Sequence, residues 1–245
     1  MQTSDSSTTR VVIYVYEGMT LLDAVGPYEI VRQLSNTSIK FVAKKRGEIT
    51  ADSGVAHLNS KHSIDEIKSA DILIIPGSTI AFVREMKDKK VLQWIKDIDK
   101  KTQKTVTVCT GSLILAATGS LKNHKVTSHW QPLPLLSKFE AIPTRERIVE
   151  SGKYITAAGV SAGIDMAIYL ANQLRGEIEA KAAQLAIEYD PKPMFNSGNY
   201  NTATEEILEL ATKNLTKDAK NNLSLWDILK NFKLLKSLKV TKDHL

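Results

Sequence analysis

Cys109 is the single cysteine of the chain, and the residues around it suggest chemistry. It follows the β-branched run Thr105–Val108 and precedes Thr110, Gly111 and Ser112, behind which an apolar stretch runs to Ala117. A strand that passes at once into a helix makes a sharp turn and presents the turning side chain at the top of a sheet. Gly111 lets the backbone turn tightly. The unpaired amides of the helix's first turn favour a thiolate and could hold an oxyanion. Such a sulfur is a nucleophile towards an electrophilic carbon. The same residue also fits a small, buried, structural hydrophobe.

Asp23 lies in the apolar segment Leu21-Leu22-Asp23-Ala24-Val25. A carboxylate there is costly without a partner, and both burial and a nearby thiolate raise its pKa. Protonated, Asp23 could donate to a sulfur anion and act as a general acid; otherwise it reads as a helix-capping aspartate ahead of Gly26-Pro27. Gly77 and Ser78 could turn backbone amides towards developing negative charge or simply end a strand. Thr110 could orient water or substrate, or merely open a helix. His129, beside Trp130, could reach a pocket or pack as a satisfied core histidine. Gly159 follows another strand.

These residues need a common platform. The strand pattern predicts strands over Arg10–Tyr16, Ser38–Ala43, Asp71–Ile75, Thr105–Val108 and Tyr154–Ala157. Helical spacing marks Leu21–Leu34, with its start expected near Pro27, then Val91–Ile98, Gly111–Ala117, Ser161–Arg175 and Glu177–Glu188. Strands alternating with helices imply a mostly parallel sheet covered on both faces. Ligands of such sheets bind beyond the carboxyl ends of the strands. Asp23, Gly77-Ser78, Cys109–Ser112 and Ala158-Gly159 all follow strand ends, so one rim should gather them. The alternation stops near Asp190-Pro191. Residues 1–9 read as a loose tail, 10–198 as the α/β domain and 199–245 as a helical extension, with helices expected over Ala203–Lys213 and Leu223–Leu238.

With 245 residues, 42% hydrophobic and 24% charged, the chain is long enough for one sizeable core. The net charge of +6 is interleaved with acids, as in Lys87–Lys90, which argues against a nucleic-acid surface. No apolar run nears the roughly 18 residues of a membrane span, and Met1–Arg10 lacks the apolar core of a secretory leader. A lone cysteine excludes internal disulfides and cysteine-rich zinc sites, and fits a reducing cytoplasm. His57, His62, His124 and His244 show no metal spacing. With no phosphate-binding loop, dinucleotide fingerprint or paired-cysteine motif, a small-molecule enzyme without metal or organic cofactor is the expected class. The apolar stripe from Leu223 to Leu235 suits packing against the domain or a second subunit better than a membrane.

Several segments resemble the ThiJ/PfpI superfamily, and within it the isonitrile hydratase branch. They are Tyr16–Glu29, Ile74–Gly77, Val108–Ala117, Val126–Trp130, Ala158–Asp165 and Ala183–Pro191. The resemblance implies a flavodoxin-like α/β sandwich of the class I glutamine amidotransferase kind, a homodimer, and a nucleophilic cysteine on a strained elbow. It places the paired acid on Asp23 and the threonine beside the nucleophile on Thr110, where PfpI-type peptidases carry histidine. Pro76-Gly77-Ser78 departs from the branch's usual Pro-Gly-Gly. The activity so implied is hydration of an isonitrile to an N-substituted formamide through a Cys109 thioimidate. The alternatives are a glyoxalase or deglycase acting on small aldehydes, and a non-enzymatic redox sensor using the same cysteine. Related domains also occur fused to helix-turn-helix regulators, but the tail has no recognition-helix pair.

Overall fold

The computed structural model describes residues 8–221. The order of elements is β1 (Thr9–Tyr14), α1 (Leu21–Val31), β2 (Thr37–Ala43), β3 (Gly47–Thr50), β4 (His57–Ser60), β5 (His62–Ser63), β6 (Ile72–Ile75), α2 (Phe82–Glu85), α3 (Lys89–Asp99), β7 (Lys104–Val108) and α4 (Gly111–Ala116). Then follow β8 (Lys125–Val126), a 3-10 helix (Leu133–Phe139), β9 (Ile142–Pro143), β10 (Ile148–Ser151), β11 (Tyr154–Ala157), α5 (Ala162–Arg175), α6 (Glu177–Ala186) and α7 (Glu205–Asn221).

The main sheet has seven strands in the order β10-β11-β7-β6-β1-β2-β5, parallel throughout except for the β10–β11 edge pair. The fold is therefore flavodoxin-like, mostly parallel, with helical segments at its C-terminal end. Its central strands lack polar alternation because both faces are covered: Val11–Tyr14 and Ile72–Ile75 are buried throughout. Helix α3 lays Val91, Trp94, Ile95 and Ile98 onto this core, and Asp88 caps it by accepting from the amides of Lys90 and Val91. Helices α1, α5 and α6 share a smaller cluster built from Ile30, Leu34, Ala167, Ala171, Ala180 and Ala183.

Several element ends differ by a few residues from expectation, and three of the differences matter here. Helix α1 starts at Leu21, six residues before Pro27, which lies inside it. A proline there removes a backbone donor, and the helix is retained by burying Ala24, Ile30 and Val31. That shift puts Asp23 in the helix's first turn. Thr9 belongs to β1 and not to the tail. Helix α7 spans Glu205–Asn221, longer than the expected Ala203–Lys213; its Leu208, Ala211, Thr212, Leu215 and Ala219 are partly buried at helical spacing. The expected helix over Leu223–Leu238 lies outside the described residues. The hairpin β3–β4 and the short pair β8–β9 carry too few apolar residues for a pattern to reveal them.

Candidate active site

Cys109 is the first residue after β7 and adopts φ +57°, the left-handed region. A side chain bearing Cβ costs about 1–3 kcal/mol there unless its surroundings hold it. They do. Its amide donates to the carbonyls of Ala157 (3.1 Å) and Ala158 (2.8 Å) at the end of β11. Its carbonyl accepts from the hydroxyls of Ser128 (2.9 Å) and Ser112 (3.2 Å). The elbow is thus clamped on both sides, and Cys109 is only 4% exposed.

Two glycines make the elbow possible by close approach. A Cβ on Gly111 would fall 2.1 Å from the Ile75 carbonyl oxygen, and one on Gly77 would fall 2.4 Å from the Thr110 nitrogen. Both obstacles are backbone and cannot swing away. Gly111→Ala is therefore expected to destabilise the fold by at least about 3 kcal/mol, read as a lower urea midpoint. A midpoint within error of wild type would show that β6 and α4 are not locked together.

Asp23 is wholly buried. Its Oδ2 accepts from the Gly77 amide at 2.9 Å. Its Oδ1 has no partner of full hydrogen-bond geometry, yet the Cys109 thiol lies close enough to lower the carboxyl's pKa by hydrogen bonding. Burial is the largest influence on Asp23 and, with the charge of Asp52, pushes its pKa up to about 7 against the Gly77 amide. Burial and the Asp23 charge also push the Cys109 thiol well up, although the Thr110 and Val160 amides and the Thr110 hydroxyl favour its anion. The helix amides favour the anion as expected, while desolvation and the neighbouring carboxylate push the other way. The two groups titrate as a pair, because both cannot ionise cheaply in one dry place.

The Gly77-Ser78 turn also differs from expectation. Its amides do not face open space. The Gly77 amide is committed to Asp23, and the Ser78 amide donates to Thr110 Oγ1 at 2.8 Å. Thr110 Oγ1 in turn donates to the Ser78 carbonyl at 2.9 Å, so its proton is occupied at rest. This turn orients the acid and braces the elbow; the donors that ease charge on the sulfur are the amides of Thr110 and Val160. Val160 carries no signal in the sequence, because an apolar residue says nothing about its amide.

A small cavity of about 50 Å³ touches Cys109, with Thr20, Ser78, Thr110, His129, Val160 and Leu215 among its walls. His129 and Val160 also line an adjoining cavity of about 340 Å³, which includes Trp130, Arg145, Gly159 and Tyr200. His129 is pushed down to about 4 by burial, hence neutral at pH 7. Its ring lies over Gly159, where a Cβ would come within 3.0 Å of Cδ2. Leu215 and Tyr200 come from the segment after residue 198, so the extension supplies walls to both cavities. Asp52 comes from the β3–β4 hairpin and accepts from Thr20 Oγ1 at 2.6 Å; in the sequence, Asp52-Ser53-Gly54 reads only as a turn. Among the described residues no group of three or more histidine, cysteine or acidic side chains could hold a metal ion, and no helix is long and apolar enough to cross a membrane.

Sheet and elbow together define a flavodoxin-like α/β protein with a buried cysteine–carboxylate pair at the rim of its parallel strands. The chain belongs to the DJ-1/PfpI family, whose model matches residues 9–173. It is 33% identical over 192 residues to the isonitrile hydratase of Pseudomonas putida, covering 78% of this chain and 83% of that one. A ThiJ/PfpI family protein from Pseudomonas syringae superposes with TM-score 0.81 at 34% identity, covering 87% of this chain and 90% of that one. DJ-1beta of Drosophila melanogaster shares the fold at TM-score 0.68 and 13% identity, over 75% of this chain and all of that one.

Proposed function

We propose that this protein hydrates an isonitrile, R–NC, to the formamide R–NH–CHO, with Cys109 as nucleophile and Asp23 as proton carrier. The observation that carries the reading is geometric: the wholly buried Asp23 carboxyl, oriented by the Gly77 amide, feels the charge of a Cys109 sulfur that is clamped on a left-handed elbow. The similarity to an isonitrile hydratase over most of both chains supports it.

The pair holding one proton is the competent form, since a thiolate and not a thiol attacks carbon. That proton sits on sulfur or on the acid; when Asp23 takes it, the Thr110 and Val160 amides hold the sulfur anion. The thiolate adds to the terminal carbon as Asp23 delivers the proton to that carbon, giving the thioimidate R–N=CH–S. Water then adds across C=N: Asp23 removes a proton from the water as oxygen bonds to carbon, and returns it to nitrogen. In the adduct R–NH–CH(OH)–S the hydroxyl proton passes to Asp23, the C–S bond breaks, and formamide leaves. Thiolate and acid are restored. One difficult addition becomes two easier ones.

Incubation with cyclohexyl isocyanide and chromatography for the formamide tests the reading; no product from the intact chain would overturn it. The sensor alternative is less well served, because oxidation selects exposed thiolates of low pKa, and Cys109 is 4% exposed with a raised one. Running methylglyoxal alongside decides the aldehyde alternative. The proposal extends to a homodimer, as the family resemblance implies, and to a cytoplasmic protein working without a cofactor, as cysteine usage and the missing cofactor motifs suggest; light scattering reads the oligomeric state.

Asp52 gives a graded check. Its charge raises the Asp23 pKa, so Asp52→Asn should shift the pH–rate inflection of kcat/KM towards acid, by about half a pH unit to one unit. An unmoved inflection would mean that another group governs the profile.

A further inference from the structure

Arg145 lies between β9 and β10 and lines the larger cavity. Its guanidinium carbon stands 4.0 Å from the centroid of the Tyr200 ring. Nη2 is fully buried and has no hydrogen-bond partner. Among the described residues the side chain forms no ion pair, whereas neighbouring Arg147 is paired with Asp165. A buried donor without an acceptor is unfavourable, and native structures rarely keep one without a reason. From this guanidinium a row of planar groups leads back to the chemistry. Tyr200 lies 5.8 Å from Trp130, and Trp130 lies 5.4 Å from His129. His129 is shared with the cavity that touches Cys109.

We infer that Arg145 binds a carboxylate of the substrate, which makes the substrate an isocyano carboxylic acid with an apolar or aromatic body; this rests on the hydratase reading. The isonitrile carbon meets Cys109, the body lies along Trp130 and Tyr200, and the carboxylate pairs with the Arg145 guanidinium, drawing on its unmet hydrogen-bonding capacity. A carboxylate suits the site better than a phosphate. One cation without an ion pair among the described residues matches one negative charge, and Glu146 on the same wall opposes a dianion. The product would be an N-formyl carboxylic acid.

The test uses the full chain and two linked measurements. First, kcat/KM is compared for an aromatic isocyano acid and its methyl ester. The wild type should favour the acid by about 30-fold, the usual worth of a charge-assisted hydrogen bond. Arg145→Gln should erase that ratio, and Arg145→Lys should keep part of it. Second, calorimetry compares binding of the N-formyl acid and its methyl ester, which needs no turnover. Acid-selective binding that depends on Arg145, with no isonitrile turned over, would uphold the carboxylate site and reject the hydratase reading. Turnover without preference for the acid, or a preference that survives Arg145→Gln, would overturn the site. Tighter binding of the matching phosphonate would overturn the choice of carboxylate.

Discussion

Cys109→Ala is expected to lower isonitrile hydration by at least about 10⁴-fold, because the reaction loses its covalent route and only binding remains. The variant should still fold. Its Cβ is retained, and the clamps on residue 109 are backbone groups: the amide to Ala157 and Ala158, the carbonyl from Ser128 and Ser112. Circular dichroism and the urea midpoint check that point, and chromatographic formamide assays read the activity. An alanine variant within tenfold of wild type would show that the sulfur forms no bond to carbon. Intact mass spectrometry adds a positive sign: during turnover the wild type should carry the mass of one isonitrile on Cys109, and the alanine variant none.

The second large effect concerns the acid. Asp23→Asn cannot carry a proton through the cycle, and general acid–base catalysis contributes about 10²–10⁴-fold; a fall of about 10³-fold is expected. Wild-type kcat/KM should rise as the pH climbs through about 7, where the pair goes from two protons to one. The asparagine variant should lose that inflection. Activity that is greatest at pH 5 and declines through pH 7 would contradict the one-proton form.

The same substitution has an opposite effect on stability. In the unfolded chain an aspartate titrates near about 3.9, whereas folded Asp23 titrates near about 7. The folded chain therefore keeps a proton that the unfolded chain releases, and this contribution to stability is lost as the pH rises from about 4 through about 7. Asp23→Asn removes the titration. Its stability relative to wild type should climb across that window by up to about 4 kcal/mol, measured as urea unfolding at pH 4 and pH 8. Other carboxylates cancel in the difference. A constant difference would mean that Asp23 is not raised. The active ionisation state is then also the less stable one, a trade-off found where sites bury charge.

Much of this molecule is legible in the one-dimensional chain. Continuous apolar strands such as Val11–Tyr14 and Ile72–Ile75 report burial on both faces, and so a parallel, helix-covered sheet. The step from Val108 through Cys109 to Gly111 reports an elbow, because an abrupt strand-to-helix turn needs a residue without a side chain just behind it. The rule that ligands gather beyond strand ends assigns Asp23, Gly77, Cys109 and Gly159 to one rim from sequence order alone. All of these depend on local backbone geometry or on the period of side chains along one element, and both are written in short stretches of sequence.

Where protons and donors go is settled by packing between distant segments. The Gly77 and Ser78 amides look available in sequence, yet Asp23 and Thr110 occupy them. The thiol looks like a helix-stabilised anion, yet burial and the Asp23 charge push its pKa well up. Asp52, Arg145, Tyr200 and Leu215 enter from a hairpin, a loop and the C-terminal extension, far apart in sequence, and no periodicity connects them. Desolvation and electrostatic coupling depend on what surrounds a group in all directions, and that is set by packing between distant segments.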